Sequence, residues 1–105
     1  MARQRTLQLR TYKDKGGKYR ARIFAGNGEQ LARSPKGYEE NVFADGLEAM
    51  LYAQHDAELY KDKRGEWRWR FALCPYGIIM ISSEGYKNKQ DCKIASDLVL
   101  DSEIV

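Results

Sequence analysis

Basic and aromatic residues recur in two short segments of the chain, with a spacing that suits binding. Alternate side chains of a β-strand point to the same face, so the basic residues at 18, 20 and 22 would share one face, as would those at 68 and 70. Such a strip can bind single-stranded nucleic acid through phosphates and stacked bases, or an acidic protein surface. The residues of this predicted binding strip are Lys18, Arg20, Arg22, Arg68, Arg70, Tyr12 and Tyr60.

Residue types that perform catalysis or bind metals are sparse. The chain has one histidine, His55, and two cysteines, Cys74 and Cys92, without a CxxC spacing, whereas a zinc site needs more ligands of this kind. The serines lie in no nucleophile motif, and the glycine-rich turns lack the spacing of a phosphate loop. We therefore predict no catalytic residues, no cofactor and no metal. A small enzyme using a carboxylate pair stays open as an alternative, as does a Cys74–Cys92 disulfide in place of two free thiols.

Length and composition indicate one folded domain. The chain has 105 residues, of which 43% are hydrophobic and 31% charged, as in ordinary folded domains. No apolar run approaches the ~20 residues that span a bilayer, and no apolar segment follows the basic start, so we expect a cytoplasmic protein without membrane contact. Charge is uneven: residues 1–36 hold ten bases and two acids, the other 69 hold eight bases and thirteen acids.

An internal repeat is visible at a spacing of 48 residues. The segment 12–22 (YKDKGGKYRAR) and the segment 60–70 (YKDKRGEWRWR) are identical at seven of eleven positions, and Ser34, Gly37 and Tyr38 have counterparts 48 residues later. Self-similarity at one fixed spacing is the signature of repeated structural units. We predict one domain, residues 1–105, with repeat one at about 6–54 and repeat two at about 56–105.

Each repeat has the pattern of three strands followed by a helix. Apolar and polar residues alternate in the strands, glycine-containing turns separate them, and the helices have apolar stripes. Gly46 inside the first helix predicts close packing there, and Cys92 is expected on the buried face of the second. The predicted fold is α+β, with tandem βββα(β) repeats that share an antiparallel sheet covered by two helices. The predicted strands are 7–13, 18–25, 29–34, 57–62, 66–73, 77–83 and 102–105, and the helices are 40–53 and 88–99.

The repeated segments carry a family resemblance. The pattern Tyr-Lys-Asp-x-x-Gly-x-Trp-Arg-Trp-Arg at 60–70, followed by Ser-Ser-Glu-Gly-Tyr at 82–86 and a cysteine-containing helix, resembles the YegP-like family. The first repeat matches more loosely, and departs from the family at Pro35 and at 41–43. The resemblance implies a β3-α-β module, found singly as dimers or as tandem pairs, and a function that is uncharacterised, so it transfers no functional residue.

Two interpretations of the segment Trp67–Arg70 follow from strand alternation. In one, Trp67, Trp69 and Phe71 pack beneath the second helix and the arginines lie in solvent, so truncating Trp67 would cost about 3–5 kcal/mol. In the other, the arginines form the binding strip. From these we predict a monomeric, non-catalytic module that binds a protein partner, as an accessory factor or inhibitor of a larger complex. Nucleic-acid binding and an unrecognised small enzyme are the alternatives.

Overall fold

A computed structural model describes residues 6–52, 57–73 and 77–104 of the chain. These ranges contain strands and helices within about two residues of the bounds expected from the sequence. His55 and Cys74 lie outside the described residues. The elements are β1 (Thr6–Lys13), β2 (Tyr19–Phe24), β3 (Gln30–Arg33), α1 (Glu40–Tyr52), β4 (Glu58–Lys61), β5 (Trp67–Leu73), β6 (Gly77–Ser82), α2 (Lys89–Asp101) and β7 (Glu103–Ile104).

The strands form one sheet in the order β4-β5-β6-β3-β2-β1-β7. Six of them pair antiparallel, as expected of strands joined by tight turns. The last strand differs from the prediction of an antiparallel sheet. Glu103 and Ile104 pair parallel to Thr6 and Leu7. No hairpin turn joins β7 to β1, so the connection does not impose the antiparallel direction on this pair.

Residues 48 positions apart make matching contacts in the two halves of the chain. At the centre of the sheet, Arg33 of β3 is the direct partner of Ile81 of β6. The buried hydroxyl of Ser34 accepts from the N–H of Ala21 at 2.7 Å, and that of Ser82 accepts from the N–H of Trp69 at 3.3 Å. The two halves therefore meet at β3 and β6 and use equivalent side chains to satisfy equivalent backbone donors.

Both helices contribute to one core on one face of the sheet. Along the strands, buried residues such as Ala21, Ile23 and Ala32 alternate with exposed ones. The helices cover the buried side and leave the other side, here called the open face, to solvent. The buried core residues are Leu7, Ala21, Ile23, Ala32, Leu47, Met50, Trp69, Phe71, Ile79, Met80, Cys92 and Val99.

Three packing predictions can be compared with this core. Cys92 is a fully buried free thiol, and burial raises its pKa, so its role as a small core residue is confirmed. A Cβ at Gly46 would lie 2.8 Å from Cδ1 of Ile79, which confirms close packing. Trp67 is only partly buried, with the Lys61 and Lys89 ammonium groups 5.6 and 5.4 Å from its ring centre. The largest core aromatic is instead Trp69.

No helix within the described ranges is long and apolar enough to cross a membrane.

Candidate binding face of the sheet

A row of arginines crosses the open face. Strand register places Arg10 of β1 opposite Arg22 of β2, and Arg22 opposite Arg33 of β3. Directly opposed side chains of an antiparallel pair have Cβ atoms about 5 Å apart. We call these three residues the arginine row. Two of them, Arg10 and Arg33, were absent from the strip predicted from the sequence.

The arginine row is exposed and lacks charge compensation. All three side chains are exposed, and none forms an ion pair with a residue in the described ranges. Arg10 and Arg22 lie over the rings of Phe24 and Tyr12, with guanidinium carbons 5.1 and 5.0 Å from the ring centres. Like charges placed directly opposite each other destabilise a sheet. The row is therefore costly to the fold and available to an anion.

Arg20 and Arg68, which the sequence placed in the strip, hold hairpin turns instead. Arg20 donates from Nε to Asp14 at 2.9 Å, and Arg68 donates from Nε to Asp62 at 2.8 Å. Each aspartate also accepts from two backbone N–H groups in its own turn. A further bond runs from Arg68 to the carbonyl of Ser82 at 3.2 Å. The side chains of these two arginines therefore bind groups within the protein rather than facing a partner.

The remaining basic residues of the predicted strip are also paired. Lys18 forms an ion pair with Glu39, and Arg70 with Glu58. The guanidinium of Arg70 also lies 4.5 Å from the centre of the Tyr60 ring. Of the seven predicted residues, Arg22 and its neighbour Tyr12 therefore lie on the unpaired part of the face, and the half formed by β4 and β5 is largely neutralised.

The hairpin aspartates are expected to make stability pH-dependent. The pKa of Asp14 is lowered from its ordinary 3.8, first by the side-chain hydrogen bond from Arg20 and then by the N–H of Lys18. The pKa of Asp62 is lowered likewise, first by the side-chain hydrogen bond from Arg68 and then by the N–H of Glu66. A carboxyl whose folded pKa is depressed stabilises the fold above its unfolded pKa, and this contribution disappears as pH falls through the folded value.

We expect a variant with Asp14→Asn and Asp62→Asn to be less stable than the wild type near neutral pH. The difference should shrink as pH falls below about 4, because the wild-type carboxylates then become protonated. Urea unfolding, followed by tryptophan fluorescence at a series of pH values, measures this gap. A gap that stays constant between about pH 7 and pH 2 would contradict the assignment of these groups as the source of acid sensitivity.

The helix side of the sheet contains a small cavity of about 150 Å³. Burial, followed by the charge of Glu84, raises the pKa of Tyr86 to about 12, so this phenol stays protonated near neutral pH. Among the described residues no group of three or more His, Cys, Asp or Glu could hold a metal ion. The cavity is lined by Glu29, Leu31, Trp69, Glu84, Tyr86, Ala95, Leu98 and Val99.

Comparison with known proteins gives the family. No family model matches the chain. Two UPF0339 proteins of Neisseria meningitidis, one from serogroup B and one from serogroup A, are each 48% identical to it over 42 residues. That stretch is 40% of this chain and 73% of each relative. The chain belongs to the UPF0339 family.

Solved structures of two UPF0339-like proteins have the same fold over nearly the whole chain. A UPF0339 protein from Shewanella oneidensis superimposes with a TM-score of 0.74 at 16% identity, covering 93% of this chain and 88% of that one. YegP from E. coli, a protein of unknown function, gives 0.70 at 20% identity, covering 99% and 91%. The YegP-like resemblance is confirmed, and the shared fold is α+β with no function attached.

Proposed function

We propose that the protein is a non-catalytic binding module that engages an acidic surface of a protein partner through the arginine row. The observation that carries this proposal is the direct cross-strand opposition of Arg10, Arg22 and Arg33 without an ion pair to any described residue. A fold gains nothing from such repulsion, whereas a partner of opposite charge both relieves it and is attracted by it. A small module of this kind would serve as an accessory factor or an inhibitor of a larger complex.

We also propose that the chain is a tandem pair of modules whose halves have diverged. The two Neisseria relatives support this, because 42 residues make up 73% of each, so each is little more than half as long as this chain. Arg22 has its counterpart 48 positions later in Arg70, which is paired with Glu58, and Arg33 has its counterpart in Ile81. Among the described residues of the sheet strands, uncompensated positive charge on the open face therefore lies in the first half, which supports a partner site on that half.

Nucleic acid is the second candidate, because phosphates would also neutralise the arginine row. Base stacking on the open face is less well supported. One face of the Tyr12 ring is covered by Arg22, and one face of the Tyr60 ring by Arg70. A protein carboxylate surface needs only the guanidinium groups, so we favour the protein partner.

Affinity capture with tagged protein tests the proposal. Wild type and the double variant Arg22→Gln, Arg33→Gln are compared in lysate of the source cells, with and without nuclease, at low and high salt. We expect one or more proteins bound by the wild type to survive nuclease and to be lost with the double variant. Arg64→Gln, an exposed change in the second hairpin turn, is the matched control and should retain them.

Two results would contradict the protein-partner proposal. If only nucleic acid is recovered and nuclease abolishes its recovery, the arginine row would be assigned to nucleic-acid binding instead. Equal capture by wild type and the double variant would remove the row from the binding surface altogether.

A further inference from the structure

The outer edge of β1 has unused backbone hydrogen-bonding groups. β7 pairs with only Thr6 and Leu7, so no described strand covers residues 8–13. The hydrogen bonds of β2 show which backbone groups of β1 point outward. On the side of β2 away from β1, the N–H and C=O of Tyr19 bond to Tyr38, and the C=O of Ala21 accepts from the N–H of Ser34. These residues of β2 are therefore unavailable to β1, and β1 bonds to the residues of β2 that alternate with them.

Three residues of β1 therefore direct their N–H and C=O groups outward. The bond from the N–H of Asp14 to the C=O of Lys18, 2.8 Å long, begins the alternation at the turn. Tyr12, Arg10 and Gln8 continue it by bonding to β2, and the residues between them, Leu9, Thr11 and Lys13, face the open edge. A free row of this kind is a template for an added strand.

Side chains at this edge select the chemistry of an added strand. On the open face an incoming strand would pass beside Arg10, with Arg22 as the next residue inward in the same row. On the helix face it would pass beside Leu9, which is partly buried against the core, and Thr11. The complementary sequence alternates an acidic residue, facing the arginines, with an apolar residue, facing Leu9.

The opposite edge of the sheet lacks this combination. β4 has only four residues, Glu58–Lys61, and the arginine next to it, Arg70, is already paired with Glu58 and lies over Tyr60. Within the described part of the chain, only β1 combines an uncovered edge of six residues with positive charge that has no ion pair.

We propose that the partner of this protein contributes an extended acidic segment that adds to the sheet as a strand along β1. This inference rests on the proposed function and specifies how the partner binds. The added strand would form backbone hydrogen bonds with Leu9, Thr11 and Lys13 and direct alternate carboxylates at Arg10 and Arg22.

An eight-residue peptide, Glu-Val repeated four times with both termini blocked, is the probe for strand addition. Its control has the same eight residues with all four glutamates first, which removes the alternation but keeps the charge. Amide hydrogen exchange of the whole protein, followed by NMR, gives the position of binding. At saturating probe we expect exchange at Leu9, Thr11 and Lys13 to slow at least tenfold, because outward N–H groups become hydrogen-bonded, and we expect at least tenfold weaker binding of the control peptide.

Thr11→Pro provides the matched variant. Proline at position 11 removes an outward N–H that makes no bond to β2, and proline is tolerated on edge strands. We expect it to weaken probe binding at least tenfold, whereas Thr11→Val should bind as the wild type does. An unchanged pattern of amide protection elsewhere in the sheet establishes that the variant is folded.

The outcomes separate this inference from the proposed function. If the probe binds without protecting Leu9, Thr11 and Lys13, and Arg22→Gln weakens it while Thr11→Pro does not, strand addition is wrong and binding through the arginine row stands. If the probe does not bind at millimolar concentration and a dT12 oligonucleotide does, both are wrong. Equal affinity for the alternating probe and for the control peptide with its four glutamates first would also overturn strand addition.

Discussion

Replacing Trp69 by alanine is expected to lower the free energy of unfolding by about 3–5 kcal/mol, as for other large aromatic truncations in a core. Trp69 is 1% exposed and is the largest fully buried side chain of the described residues. Domains of this size have unfolding free energies of about 5–15 kcal/mol. Loss of this indole alone should therefore remove a large part of the stability.

Trp67→Ala is the matched control for Trp69→Ala, because it removes the same side chain from the same strand. Trp67 is partly exposed, so less apolar surface returns to water when it is removed and a smaller cavity is left. Urea unfolding of the two variants measures both losses. Equal losses would contradict the placement of Trp69 inside the core and of Trp67 at its margin, since the indole nearer solvent would then contribute as much as the buried one.

Replacing Gly37 by alanine is expected to cost about 1–3 kcal/mol, the range for overpacking a close contact. A Cβ at Gly37 would overlap Cβ of Lys18 and would lie 2.7 Å from Oδ2 of Asp14. Cβ of Lys18 is bonded directly to the backbone of the hairpin, so it cannot move unless that backbone moves with it. The same carboxylate oxygen accepts from Arg20, so the added methyl group would also displace a hydrogen bond that holds the turn.

Gly26→Ala is the control for this effect, since a Cβ there would meet nothing within 4 Å. Thermal unfolding should give a lower midpoint for Gly37→Ala and a midpoint near the wild type for Gly26→Ala. Equal midpoints for the Gly37 variant and the wild type would show that the first hairpin and the segment before Tyr38 are further apart than described.

The sequence predicted the elements well because each has a strong local signal. Strand alternation from Leu7 to Lys13 and again from Trp67 to Phe71 is regular, and glycine turns separate the strands. The direction of β7 could not be inferred from local pattern. This direction depends on where the C-terminal end of α2 lies relative to β1, which is set by the arrangement of the whole sheet.

The candidate site was predicted only in part, because binding residues were chosen within one strand at a time. Lys18, Arg20 and Arg22 alternate along β2, but alternation does not reveal that Arg20 is paired with Asp14. Arg33 is the one basic residue of β3, so the strand shows no alternation of basic residues. Its place in a basic row is visible only from the register, which puts it opposite Arg22. The signal that could have found it is the pairing of β2 with β3 across the Gly26-Asn27-Gly28 turn, which brings these residues together.

The most direct test of the central claim is urea unfolding of Arg33→Gln beside Arg20→Gln. Both variants neutralise one arginine on the open face. Arg20 holds Asp14, so its loss should reduce stability. Arg33 opposes Arg22, so its loss should leave stability unchanged or raise it by up to about 1 kcal/mol. A loss for Arg33→Gln as large as that for Arg20→Gln would mean that this arginine maintains the fold, and would contradict its assignment to a partner.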